Sequence, residues 1–325
     1  MNDKVNNISE ERIAEILQKS GVRPVPDPAM MESVRANVRA VWQEEVSLQK
    51  QQSPRLRYAL VASVVMAAGA GLFVANQPEE VAWGTVARVV NTVEYRVGDD
   101  VWQPWHQQPL TGHVSLRTAA DSYASLRLES GMEIRLNEKS QISLEDTESL
   151  HLTAGQVYVD SNDEDGVDKS IRIDTSFGSA RDIGTRFAVE VDRDGWTVRV
   201  REGKVSLNDS GQNLLAAAGE AISVDRKDAV RKSPLAPYDA SWTWVAEAAS
   251  PFAIEGKTLQ EYLSWVSKES GHQIEYTSAE IRDASGTTIL HGDISGLRPL
   301  DSLPAVVSTT GHEYVINEEG VIVLR

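Results

Sequence analysis

At 325 residues, with 41% apolar content and a formal charge of -16, the chain has room for two or three domains, and its sign argues against nucleic acid as a direct ligand. It holds no cysteine, so disulfides, thiolate zinc sites and a cysteine nucleophile are excluded. The charge is uneven: residues 1–57 carry nine Lys/Arg against eight Asp/Glu, and the remainder carries 23 against 40.

Ser9 is placed to cap a first helix, with Ile13, Ile16 and Leu17 on one stripe before Gly21 stops it. Asp27 followed by Pro28 opens a second. Met31, Val34, Val38, Val41, Trp42 and Val46 then recur at helical spacing. Two short amphipathic helices bury too little surface to be secure alone, so the face made by Met31, Val34, Val38, Val41 and Trp42 is the candidate partner-binding surface. A small self-contained bundle or a juxtamembrane stalk is the alternative. No histidine precedes His106, which excludes a metal-stapled version.

Residues 58–76 contain no charge and, as a helix, would span roughly 28 Å, close to the hydrocarbon thickness of a bilayer. This predicts one transmembrane helix. Arg55 and Arg57 before it and Glu79 and Glu80 after it place the N-terminus in the cytoplasm and the C-terminal region outside.

From 85 to 207 the apolar period changes to two. Pairs such as Leu126 and Leu128, Ile142 and Leu144, Val157 and Val159, and Val198 and Val200 alternate with polar residues. Gly131, Gly155, Gly195 and Gly203 punctuate them, which predicts short half-buried strands in a sandwich or solenoid. Gly184 and Thr185 admit two readings. One is a tight bend that needs a small residue. The other is chemical, because a threonine hydroxyl can attack the carbonyl before it if the backbone is strained or a base is near. The acidic run 160–166 fails the spacing of an EF-type calcium loop, since placing Gly166 sixth puts Arg172 twelfth, and is expected to be a solvated turn.

The stretch 175–207, TSFGSARDIGTRFAVEVDRDGWTVRVREGKVSL, resembles the core signature of the FecR family of transmembrane anti-sigma regulators. Gly178, Gly184, Thr185, Phe187, Val189, Glu202, Gly203 and Val205 match it, and Ser176 stands where proline is commoner. The resemblance is strongest over 118–207. It implies a cytoplasmic sigma factor as partner, and it implies cleavage between Gly184 and Thr185, as occurs in some FecR-like regulators.

Residues 227–238 are charged and carry Pro234 and Pro237, which suits a linker. Beyond them the sequence repeats at an offset of 40: Ile254 and Ile294, Gly256 and Gly296, Leu263 and Leu303, Val266 and Val306, Gly271 and Gly311. Thr258 with Glu261 makes a capping box, and strands are predicted at 252–254, 273–276, 289–294, 314–316 and 321–324, with a second helix starting near Ser302. Two βαβ-type units follow, resembling the short N-terminal domain of secretins and TonB-dependent receptors. That resemblance implies protein binding, with an outer-membrane TonB-dependent receptor or another periplasmic protein as partner. The six histidines show no metal-binding spacing, and Trp102 and Trp105 are expected to be edge packing.

The expected fold class is therefore multidomain: an N-terminal α-helical segment (1–57), a transmembrane helix (58–76), an all-β domain (77–226), a linker (227–250) and a C-terminal α+β domain (251–325). The expected function is an inner-membrane regulator that holds an extracytoplasmic-function sigma factor inside and receives an envelope signal outside. A periplasmic scaffold binding peptidoglycan or a secretion component is the alternative. No cofactor, no metal and no enzymatic activity beyond self-cleavage are expected.

Overall fold

The computed structural model of the chain describes residues 27–48 and 82–325, apart from 145, 162–169 and 210. It divides into two compact units, Met1–Pro78 and Glu79–Arg325. In the first, helix α1 spans Pro28–Leu48. Asp27 starts it, its carboxylate Oδ1 accepting the Ala29 N–H at 3.0 Å, and Pro28 takes the first position, where no N–H is needed.

The expected fold class is corrected here. The described chain is mainly β-strand, and among the described residues no helix is long and apolar enough to cross a membrane. α1 has 21 residues, but Glu32, Arg35, Arg39, Glu44 and Glu45 place charge along it. A charged side chain at a bilayer's centre costs roughly 2.5–3.5 kcal/mol. The helices expected at 9–21 and 58–76 and the acidic turn at 162–166 lie outside the described residues.

In the second unit the period-two pattern becomes strand. The elements are β1 (Gly84–Val90), β2 (Val93–Val97), β3 (Gln103–Pro104), β4 (Val114–Thr118), β5 (Tyr123–Leu128), β6 (Glu133–Leu136), β7 (Gln141–Leu144) and β8 (Ser149–Asp160). They continue as β9 (Arg172–Thr175), β10 (Gly178–Val191), β11 (Gly195–Asp209), β12 (Gln212–Ala217), β13 (Glu220–Asp225) and β14 (Val230–Pro234). All pair in one connected set of ladders, antiparallel except where β8 meets β9.

Three long strands organise this set, and each changes partners at a glycine of positive φ. β8 pairs with β7 and β9 over its first part and with β6 and β10 from Gly155 (φ +86°) onward. β10 pairs with β9 before Gly184 (φ +65°) and with β8 after it. β11 pairs with β13 before Gly203 (φ +78°) and with β12 after it. The corners fold the ladders around one apolar core, in which Leu126, Ile134, Leu152, Val159, Phe187, Val198 and Leu207 are buried. A methyl group at Gly155 would lie 2.4 Å from Ser140 Oγ and 2.5 Å from Ser140 Cα. Gly155→Ala is therefore expected to lower stability by roughly 2–4 kcal/mol, read as a shifted urea midpoint.

The chain then forms α2 (Thr243–Ala248), α3 (Leu259–Ser270), β15 (Gln273–Tyr276), α4 (Ala279–Thr287), α5 (Pro299–Ser308), β16 (Tyr314–Ile316) and β17 (Val321–Leu324). α2 and β14 occupy part of the stretch expected as a linker. The 40-residue repeat is real in α3 and α5: Leu263 and Leu303 are buried as equivalents, as are Val266 and Val306, and the Tyr262 hydroxyl meets Ser302 Oγ at 2.7 Å. The Thr258 and Glu261 capping box is present, and Gly271 ends α3 at φ +77°.

The expectation of two βαβ units is corrected, because neither 252–254 nor 289–294 is a strand. Ile254 and Ile294 are buried, but their carbonyls accept turn hydrogen bonds from the Lys257 and Leu297 N–H groups at 3.0 Å each. Only an isolated bridge from Thr258 to Ile289 remains. Each repeat is thus a turn, a helix and a strand, with β17 lying between β15 and β16 in a three-stranded sheet. α5 also begins earlier than Ser302, at Pro299, and carries Pro304 within it.

Candidate functional site

Gly184 and Thr185, which admit two readings on the sequence, lie at the bend of β10. Pairing of β10 with β11 slips between Ile183 and Arg186, so Gly184 and Thr185 fall out of the ladder as a bulge. Gly203 of β11 faces them. A methyl group there would lie 2.3 Å from the Gly184 carbonyl oxygen and 2.6 Å from Thr185 Cγ2, so only glycine lets the two strands come this close.

Thr185 is 3% exposed. Its N–H donates to Ser161 Oγ at 2.7 Å, and its carbonyl accepts from the Ser161 hydroxyl at 3.0 Å and the Ser161 N–H at 3.2 Å. Ser161 follows directly on β8, so the β8 and β10 ladder delivers this clamp. The Thr185 hydroxyl donates to Asp182 Oδ2 at 3.3 Å, while Asp182 Oδ1 accepts the Ile171 N–H at 2.6 Å. Burial pushes the Asp182 carboxyl above its ordinary value, against the opposing pull of hydrogen bonds from Ile171, Ser170, Thr185 and Ser161. A carboxylate that is short of solvent and hydrogen-bonded to a hydroxyl is suited to take that hydroxyl's proton.

The bend and the contact between the Thr185 hydroxyl and the Asp182 carboxylate are therefore two properties of one geometry. Asp182 and Ser161 were not among the expected site residues. Asp182 is only three residues before Thr185, yet a regular strand would put residues three apart on opposite faces, and the bulge is what turns them together. Ser161 is reachable only through the pairing of β8 with β10.

The other candidate surface lies in the first unit. On α1, Met31, Val34 and Val38 are 45%, 53% and 62% exposed, an apolar edge facing solvent. Val41 and Trp42 fall on the same helix, and their side chains lie outside the described residues. Trp102 lies under the Arg96 and Arg117 guanidiniums at 4.8 and 4.4 Å, and Trp105 packs edge-on to Tyr95 at 5.6 Å. Among the described residues no three acidic or histidine side chains are grouped to hold a metal ion.

Residues 114–206 match the family model described as FecR protein. No curated protein matches the chain. Two crystal structures from Parabacteroides distasonis, each titled a "putative anti-sigma factor", are among the solved structures that the chain matches. One, at 2.50 Å, is 16% identical with a TM-score of 0.37, and the other, at 1.65 Å, is 17% identical with a TM-score of 0.36. Each comparison covers 65% of this chain and 98% of the other.

Proposed function

We propose that this chain is a FecR-type regulator that holds an extracytoplasmic-function sigma factor through its N-terminal helices and releases it in response to a signal received by the region after residue 82. The observation that carries the proposal is the match of 114–206 to the FecR model, which includes the strands on both sides of the Gly184 and Thr185 bend. The exposed apolar edge of α1 supports it, because such an edge gains free energy only when something covers it. A cell inner-membrane location, with the N-terminus cytoplasmic and the C-terminal region periplasmic, belongs to the same proposal. Its support is the near-neutral first 57 residues, the Arg55 and Arg57 flank and the acidic remainder. A TonB-dependent receptor or another periplasmic protein would deliver the signal to the last domain. Alkaline phosphatase fused after residue 325 should be active, and fused after residue 50 inactive; the reverse pattern would overturn the location.

Sigma capture is tested by the double variant Val34→Asp with Val38→Asp. Each buried valine contributes about 1.5–3 kcal/mol, so the variant should retain less than about a tenth of the sigma factor recovered with the native chain. Equal recovery would remove α1 from the binding surface.

The chemistry proposed is confined to the chain itself. The Thr185 hydroxyl gives its proton to Asp182 while Oγ1 bonds to the Gly184 carbonyl carbon. The carbon–nitrogen bond then breaks as the Thr185 nitrogen takes up that proton, leaving an ester between Gly184 and Thr185 Oγ1 and a free α-amine. Water attacks the ester carbonyl and splits it, giving a Gly184 carboxylate and restoring the threonine hydroxyl. Only ionised Asp182 can accept the first proton. Its carboxyl is raised by burial, so the cleavage rate should climb with pH above the usual carboxylate range, and Asp182→Asn should flatten that profile.

A further inference from the structure

The last turn of α3 touches both strands that flank the bend in β10. Lys268 Nζ lies 2.9 Å from Asp160 Oδ2, and Asp160 is buried at the end of β8, next to Ser161. Across the ladder Asp160 is paired with Arg186, the residue after Thr185, with Arg186 Nε 3.4 Å from Asp160 Oδ1. The carbonyl of Glu269 accepts from Arg201 of β11 at 3.2 Å, two residues before Gly203. One helical turn of the last domain therefore grips the residue before Ser161 on one side of the bulge and the approach to Gly203 on the other.

We propose that Lys268 is a positioning residue for cleavage between Gly184 and Thr185. By fixing Asp160 it sets Ser161, whose hydroxyl and N–H hold Thr185, so that the bond is presented correctly only while α3 is seated on the β domain. This rests on the self-cleavage reading above. It adds that the last domain governs the bond through contact alone, so a partner that lifts α3 switches cleavage off. The chain of contacts is short, running from Lys268 to Asp160, to Ser161 through the backbone, and to Thr185 through two hydrogen bonds to its carbonyl and one from its N–H. Displacements of about 1 Å at a reacting bond are enough to slow a reaction by factors of ten to a hundred.

The test follows, by mass spectrometry of the purified full-length chain, the appearance of a polypeptide beginning at Thr185. Lys268→Met keeps the aliphatic stem and removes the charge, and it should cleave at least about tenfold more slowly than the native chain. Lys268→Arg should restore most of the rate, a rescue that general loosening of the fold would not give. Arg117→Met, which removes an ion pair with Glu94 (Nε to Oε2, 2.6 Å) between β4 and β2, should cleave normally. Native-rate cleavage in Lys268→Met, or equal slowing in Lys268→Met and Lys268→Arg, overturns the positioning role while leaving self-cleavage intact. A native chain that never yields the Thr185 terminus overturns both.

Discussion

Replacing Thr185 by alanine is expected to leave a chain that never acquires a second N-terminus, whereas Thr185→Ser should still cleave. The substitution removes the nucleophile but not the backbone clamp, because the Thr185 N–H and carbonyl, not its side chain, hold Ser161. The stability change should be small, about 0.5–1.5 kcal/mol for the lost hydrogen bond to Asp182. Asp182→Asn keeps the shape and removes the base, and should slow cleavage by about 10²–10⁴-fold. N-terminal sequencing of the four proteins after equal incubation separates these outcomes. Cleavage of Thr185→Ala at the native rate would mean that a protease, and not the hydroxyl, cuts the chain.

Glu269→Ala is expected to have the largest effect on stability, about 3–5 kcal/mol, because it removes two charge-assisted hydrogen bonds from a buried guanidinium. Arg135 of β6 is 2% exposed and donates from Nη2 to Glu269 Oε1 at 2.9 Å and from Nε to Glu133 Oε1 at 2.9 Å. Its Nη1 bonds to Glu269 Oε2 and to the Val245 carbonyl. Burial works against this guanidinium, yet Glu269 and Glu133 outweigh it and hold its pKa well above the ordinary value. Removing the whole triad together, as Arg135→Met with Glu133→Leu and Glu269→Leu, should recover most of the loss, since apolar replacement of a buried ionic group with all its partners is close to neutral. Urea unfolding of the single and triple variants reads this directly. Burial likewise opposes ionisation of Glu133, but Arg135 pulls its carboxyl below the ordinary 4.5. A depressed carboxylate contributes stability at pH values above its unfolded value and loses it as pH falls through the folded one. The contribution of Glu133 to the stability of the β domain should therefore fade as pH falls below about 4.5.

Much of the β domain was legible because burial of one face imposes a period of two, and Leu126, Ile142, Val157 and Val198 all lie in the core that the alternation implied. Asp27, the Thr258 and Glu261 box and Gly271 were equally readable, since helix ends are written in adjacent residues. The strands expected at 252–254 and 289–294 failed for the opposite reason. A three-residue apolar run says that a side chain is buried, as Ile254 and Ile294 are, and leaves open whether its backbone pairs in a ladder or closes a turn. At the bend, Gly184 and Thr185 stood out on the sequence, but the residues that bond to them did not. Asp182 depends on a bulge, Ser161 on the pairing of β8 with β10, and Lys268 on how α3 rests against β8. None of these is a local property of the chain.

On the proposed function, a sigma factor is held at one end of this chain and the bond before Thr185 is cut by the chain itself. Purification of the full-length protein from its own cells through an N-terminal tag, under native conditions and followed by mass spectrometry, tests it most directly. The expected result is a co-purified sigma factor together with a fragment ending at Gly184. Recovery of a single uncut chain with no sigma factor would contradict it.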